Sequence, residues 1–139
     1  MDESKQLSKK NISFVVLVGG LGSRIKHLYP NKPKPLISIH NKPFLYWLIK
    51  EIKDLNFKNV IYASGYRSEQ IESWVNNNEF KDLNQTIVKE TKKLGTAGSI
   101  FNLIDLCKEN LIILNGDSLL AGGIKKLLQS INAYITIYE

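Results

Sequence analysis

Ser13-Phe-Val-Val-Leu-Val18, followed at once by Gly19-Gly20-Leu21-Gly22-Ser23-Arg24, is the stretch on which the fold turns. An apolar, β-branched run without polar alternation predicts a strand buried on both faces, and such strands belong to parallel sheets covered by helices. Gly19-Gly20 stops the strand and opens a glycine-rich turn. Moving outward, Pro43–Asp54 carries Leu45, Leu48, Ile49 and Ile52 at helical spacing, with Pro43 suited to a first helical turn. Asn59–Ala63 reads as a second strand. Ser68–Val75 reads as a helix capped by Ser68, with an Ile71/Val75 stripe. Gln85–Lys89 is a short strand, Thr96–Cys107 a helix and Leu111–Leu114 another apolar strand. Gly123–Ser130 reads as a short helix and Ala133–Tyr138 as a last alternating strand. Asn76–Asn78 reads as a loop. This order predicts a doubly wound α/β sheet, mainly parallel, with helices on both faces and ligands at the carboxyl ends of the strands.

Length and composition fit one compact domain: 139 residues, 43% hydrophobic, with a polar tail over 1–11 and a single domain over 12–139. Nineteen Lys and Arg against 13 Asp and Glu leave a net charge of +6. The excess favours an anionic partner without choosing among nucleotide, phosphosugar, nucleic acid and membrane surface, and the tail lysines Lys5, Lys9 and Lys10 read equally as a solvated face. The single Cys107 excludes an internal disulfide framework and suits a reducing cytosol. The start of the chain is charged and lacks a signal-peptide core. No apolar run approaches the roughly 18 residues of a membrane span, so a cytoplasmic protein without membrane partners is expected.

Four segments carry chemistry. At Gly19-Gly20-Leu21-Gly22-Ser23-Arg24, missing side chains let backbone N–H groups close on a phosphate. The turn matches neither the dinucleotide fingerprint, which needs glycine at Ile25, nor the P-loop, which ends in Gly-Lys-Ser/Thr. A purely structural turn remains an alternative for these glycines taken alone. Arg24 can hold phosphate oxygens in a fork, and Lys34, between Pro33 and Pro35, sits on a segment with little backbone freedom; the other reading is a stiff loop with incidental charge. Glu90–Ser99 opens a helix at Thr96, and helix N-termini bind anions while Gly95 and Gly98 admit a base or ribose. In Leu114-Asn115-Gly116-Asp117, a carboxylate just past a buried strand can coordinate Mg²⁺ beside substrate phosphates, or can simply serve a turn.

Val-Gly-Gly-Leu-Gly-Ser-Arg (18–24), Pro-Lys-Pro-Leu (33–36), Asn-Lys-Pro (41–43), Leu-Gly-Thr-Ala-Gly (94–98) and Leu-Asn-Gly-Asp (114–117) resemble the successive motifs of the sugar-phosphate nucleotidyltransferase family. The similarity is closest to the mannose-1-phosphate and heptose-1-phosphate guanylyltransferase branch and spans Phe14 to Asp117. It implies a Rossmann-like fold. Gly19, Gly20, Gly22, Ser23 and Arg24 would embrace a nucleoside triphosphate, Lys34 would neutralise charge on the α-phosphate, and Asp117 would hold Mg²⁺. Glu90, Leu94, Gly95 and Thr96 would line the nucleoside, with a carboxylate at Glu90 suited to the N–H edge of guanine and so to GTP. The implied reaction joins a sugar 1-phosphate to a nucleotide and releases pyrophosphate.

Val18, Asn41 and Lys93 stand where the family usually has alanine, glycine and proline. Relatives also continue past the Asn-Gly-Asp strand into sugar-binding segments, so the C-terminal sugar-binding part is expected to be absent from 12–139. Three readings follow. One is an enzyme completed by a partner chain or a homo-oligomer. Another is a nucleotide-binding remnant without turnover. The third is a basic nucleic-acid-binding domain, which the lack of aromatics interleaved with Lys or Arg counts against. His27 and His40 lack ligand-spaced partners and read as loop residues, Trp47 and Trp74 as packing, and Tyr66 and Arg67 as structural.

Overall fold

The computed structural model describes residues 9–90, 103, 106, 110–120 and 122–138, with side chains as far as Ser130. Strand β1 (Ile12–Leu17) is the centre of the sheet. Around it stand β4 (Asn59–Ser64), β5 (Asn84–Lys89) and β6 (Asn110–Asn115), in the order β5-β4-β1-β6 with every pairing parallel. Two short strands, β2 (Ser38–Ile39) and β3 (Lys42–Pro43), make a separate hairpin. Helices α1 (Phe44–Asp54), α2 (Ser68–Asn77) and α3 (Gly123–Tyr138) complete the described elements.

Side chains of β1 alternate between two apolar layers, as the pleat requires. Ile12, Phe14 and Val16 join Val60, Tyr62, Ile112 and Leu114 on one face, where Leu45, Leu48, Ile49 and Ile52 of α1, Ile71 and Val75 of α2 and Ile124 of α3 cover them. Each fully buried aliphatic or aromatic side chain here stabilises the fold by about 1.5–3 kcal/mol relative to exposure. Val15, Ile61 and Ala63 face the other way, against Leu103. Apart from Leu103 and Leu106, the helix expected over Thr96–Cys107 lies outside the described residues. No helix among the described residues is long and apolar enough to cross a membrane.

The chain runs from β1 to its neighbour β4, outward to β5, and then returns to β6 on the opposite side of β1. The strand order therefore reverses between β1 and β6, which is where open α/β sheets leave a crevice. Register fixes that crevice: Leu17 lies opposite both Ala63 and Asn115, so β1 and β6 end level and β4 runs one residue further.

Three expectations need correction. Ala133–Tyr138 is not a strand; α3 runs unbroken from Gly123 to Tyr138. Ile124, Leu127, Leu128, Ile131, Ile135 and Tyr138 continue one helical spacing, no Gly or Pro interrupts it, and β-branched residues cost a helix only tenths of a kcal/mol each. Ser68 does not cap α2. Arg67 holds the N-cap position in a left-handed conformation (φ 52°), and Ser68 is the first helical residue, its N–H donated to the Gly65 carbonyl. Asn76 and Asn77 belong to α2, and Asn78 is buried beyond it, its Oδ1 accepting from the Phe80 N–H at 2.9 Å.

The start of α3 has a cap supplied from elsewhere in the chain. The Glu51 Oε1 of α1 accepts the Ile124 N–H at 2.6 Å, while Gly122 and Gly123 enter with φ of 85° and 76°. An orphan donor of the helix terminus is thereby satisfied by a residue of a neighbouring helix.

Candidate nucleotide site

Beyond β1, Gly19 and Gly20 lead to Gly22, whose φ of +58° places it in the left-handed region and turns the chain into a short 3-10 turn, Ser23–Ile25. The glycines differ in what they tolerate. A Cβ on Gly19 would stand 2.9 Å from the Gly65 backbone nitrogen, and one on Gly116 would stand 2.6 Å from a Val18 methyl, so both are demanded by packing. A Cβ on Gly20 would meet nothing within 4 Å. The protein leaves that space open.

Lys34 reaches the same place by a different route. Pro33 (φ −65°, ψ 140°) and the turn Lys34–Leu36 bury Pro33, Pro35 and Leu36, so the flanking residues anchor inward while the lysine alone points out. From the far side of β1, β6 delivers Asn115-Gly116-Asp117, with the Gly116 N–H donated to the Leu17 carbonyl at 2.9 Å. Lys34 Nζ donates to Asp117 Oδ2 at 2.6 Å, and Ser118 Oγ donates to Asp117 Oδ1 at 3.0 Å. Partial burial alone would raise the Asp117 carboxyl, but these two hydrogen bonds and the lysine charge outweigh it and hold the group below the usual carboxylate range.

Gly22, Ser23, Arg24, Ile25, Lys34 and Asp117 line one open pocket of about 250 Å³. Three of the expected charged residues, Arg24, Lys34 and Asp117, thus converge at the switch between β1 and β6. Glu90 lies apart from them on the β4–β5 side. Its N–H is donated to the Ser64 carbonyl at 2.8 Å, and its Oε2 lies 3.6 Å from where a Gly65 Cβ would stand, with Gly65 itself against Gly19. Glu90 therefore flanks the cradle at the same edge of the sheet. Leu94, Gly95 and Thr96 lie outside the described residues.

Sequence reasoning passed over Ser118 and Gly65. Ser118 is next to an assigned carboxylate, and its hydroxyl could have been suspected on that ground; Gly65 carries no signal until the register of β1 and β4 is known. His40 and Asn41 form the hairpin turn between β2 and β3, both with positive φ (49° and 64°), the geometry of a type I′ turn. That backbone explains why glycine suits position 41. Trp47 Nε1 donates to the Ile39 carbonyl at 3.0 Å, and Trp74 packs edge-on to Tyr62.

The chain belongs to the nucleotidyl transferase family, whose sequence profile matches residues 13–136. Within it, the chain is 33% identical over 116 residues to the D-glycero-alpha-D-manno-heptose 1-phosphate guanylyltransferase of Aneurinibacillus thermoaerophilus, covering 83% of this chain and 50% of that protein. It is 34% identical to the mannose-1-phosphate guanylyltransferase catalytic subunit beta of Drosophila melanogaster, covering 83% of this chain and 32% of that one. The crystal structure of HddC from Yersinia pseudotuberculosis, complexed with GMP-PN, superposes with a TM-score of 0.68 at 30% identity, over 85% of this chain and 53% of that one. A Bacillus anthracis protein solved with sucrose shares the fold at 17% identity, with a TM-score of 0.76 over 88% of this chain and 50% of that one. The chain spans about half the length of the heptose 1-phosphate relatives it matches.

Proposed function

We propose that this chain binds a nucleoside triphosphate, with GTP preferred, and transfers its nucleotidyl group to a sugar 1-phosphate. The observation that carries the reading is the convergence of Arg24, Lys34 and Asp117 with Gly22 and Ser23 on one pocket at the strand-order switch. A sugar-phosphate oxygen attacks the α-phosphorus, the bond from that phosphorus to the bridging oxygen breaks, and pyrophosphate leaves with the bonding pair. No protein nucleophile is needed. Gly20 leaves the space in which phosphate oxygens approach the backbone, Arg24 holds them, and Lys34 places positive charge where negative charge accumulates.

The donor set fits Mg²⁺: one carboxylate, Asp117, lines the pocket, and Mg²⁺ is ordinarily held by one or two carboxylates plus phosphates. No cluster of three or more His, Cys, Asp or Glu side chains suited to a metal occurs among the described residues. Bound there, the ion would stabilise charge on the phosphoryl oxygens as a Lewis acid. In this reading Glu90, an acceptor at the flank of the cradle, takes the guanine N–H edge. The names of the relatives support the base and the sugar 1-phosphate class. In this reading the protein acts in the reducing cytosol.

Calorimetry with GTP, CTP, UTP and dTTP in Mg²⁺, on wild type and Arg24→Ala, followed by pyrophosphate release with mannose and heptose 1-phosphates, tests the proposal. Tight GTP binding lost in Arg24→Ala, with turnover in the wild type, is the expected result. Binding without turnover would reduce the chain to a nucleotide-binding unit, and no binding of any triphosphate would overturn the site.

A further inference from the structure

Arg67 occupies an uncomfortable backbone position without an evident local reason. Its φ of 52° and ψ of 42° are left-handed, a conformation that costs a side chain with a Cβ about 1–2 kcal/mol, and it caps α2 without any side-chain cap hydrogen bond. It makes no ion pair among the described residues. What the conformation achieves is direction. Arg67 Nη2 donates to Asn31 Oδ1 at 3.1 Å, and Nε donates to the Tyr66 hydroxyl at 3.0 Å, with the guanidinium over the Tyr66 ring. Gln70 Nε2, in the first turn of α2, donates to the Asn31 carbonyl at 2.9 Å. Asn31 is thus held by side chain and backbone together. Lys26, at the other end of the same loop, lies over the Tyr66 ring at 5.7 Å.

Only Lys32 and Pro33 separate Asn31 from Lys34. Pro33 has a fixed φ and is buried, and Pro35 is buried on the other side, so little slack remains between the held asparagine and the lysine. The same turn also grips the cradle: the Tyr66 N–H is donated to the Gly19 carbonyl at 3.2 Å, and Gly65 lies against Gly19. One three-residue turn, Gly65-Tyr66-Arg67, therefore touches both the start of the phosphate cradle and the loop that carries Lys34.

We propose that Arg67, through its hydrogen bond to Asn31, is a positioning residue that sets the place of Lys34 relative to the Gly19–Arg24 cradle. The inference rests on the proposed site, since its consequence is read at Lys34. The strain at Arg67 is the cost of aiming a guanidinium across to the loop. A substitution by glycine removes the aim and the strain together.

The test uses the full chain as wild type, Arg67→Gly, Asn31→Ala, Asn31→Asp and the Arg67→Gly/Asn31→Ala double variant. Amide hydrogen exchange at Lys32, Leu36 and Ile37, whose N–H groups are donated to the Tyr29, Pro33 and Lys34 carbonyls, is measured together with thermal melting and with kcat and KM in pyrophosphate release. Arg67→Gly is expected to melt no lower than wild type, to exchange faster at those amides, and to lose roughly tenfold in kcat with little change in the KM for GTP. Asn31→Asp keeps an acceptor for the guanidinium and retains wild-type exchange and turnover. The double variant is no worse than either single one, as expected for two residues acting through one contact. Unchanged exchange at Lys32, Leu36 and Ile37 in Arg67→Gly, or full additivity in the double variant, would overturn the proposal. Absence of turnover in the wild type would count against the transferase reading alone, because the exchange measurement decides the clasp without it.

Discussion

Lys34 Nζ lies 2.6 Å from Asp117 Oδ2, although 83 positions separate the two residues in the chain. The pair neutralises itself inside a pocket lined otherwise by Gly22, Ser23, Arg24 and Ile25, and both side chains remain partly open to water, at 41% and 33%. An ion pair so exposed contributes at most about 1 kcal/mol to stability. Lys34→Ala should therefore change the melting temperature little while reducing turnover by roughly 10²–10³-fold, and the loss of its ammonium should move the Asp117 carboxyl back up toward its ordinary range. Parallel melting and pyrophosphate-release assays check the separation; a large loss of stability would show that the pair is structural.

Gly19 and Gly20 are adjacent yet should behave oppositely. Gly19→Ala forces a Cβ to within 2.9 Å of the Gly65 backbone and is expected to destabilise by about 1–3 kcal/mol, seen in urea titration. Gly20→Ala meets no protein atom within 4 Å and should fold as wild type. Its effect should appear only in calorimetry, as weakened triphosphate binding.

Much of this site could be read before any coordinates, and the reasons are local. Gly19–Arg24 and Lys32–Leu36 declare themselves by glycine next to a buried strand and by lysine locked between prolines. The pairing of Lys34 with Asp117 could not be read, because it depends on β6 lying beside β1 while β4 takes the other side. The His40-Asn41 turn escaped notice because neither residue is glycine, although both adopt positive φ. Ala133–Tyr138 misled because alternating β-branched residues imitate a strand, whereas the helical spacing from Ile124 onward had no residue to stop it.

The cap on α3 offers a test of stability away from the nucleotide. Glu51→Ala removes the acceptor for the Ile124 N–H and should cost about 0.5–2 kcal/mol by thermal or chemical unfolding. Gly123→Ala should cost at least as much, since its φ is 76° and the added Cβ would clash with Glu51 Oε1. GTP affinity at temperatures where both variants remain folded should match wild type.

Acid should expose a different contact. Hydrogen bonds from Lys53 and then Lys58 lower the Asp82 carboxyl from 3.8 to about 2. A folded-state value below the unfolded one means the stabilisation is fully present above 3.8 and disappears as the pH falls through about 2. Asp82→Asn should therefore melt below wild type at neutral pH, with the gap closing across that window. A gap that stays constant into acid would show that the lysine contacts add nothing to folding.

The contact between Gly19 and Gly65 ties two distant places in the gene into one heritable unit. With backbone against backbone, the Gly19 codon cannot drift to a larger residue unless the other strand end is reshaped, and it cannot be repaired by changing its partner, which is already the smallest residue there is; a Cβ on Gly65 would meet the Gly19 carbonyl oxygen only at 3.3 Å, so that codon has more room. Compensation must come from moving the chain itself. Lineages descended from this protein are thus expected to lose Gly19 by insertion or deletion at a strand end and not by substitution, while Gly65 gives way to a small residue with only a slight shift of its neighbour.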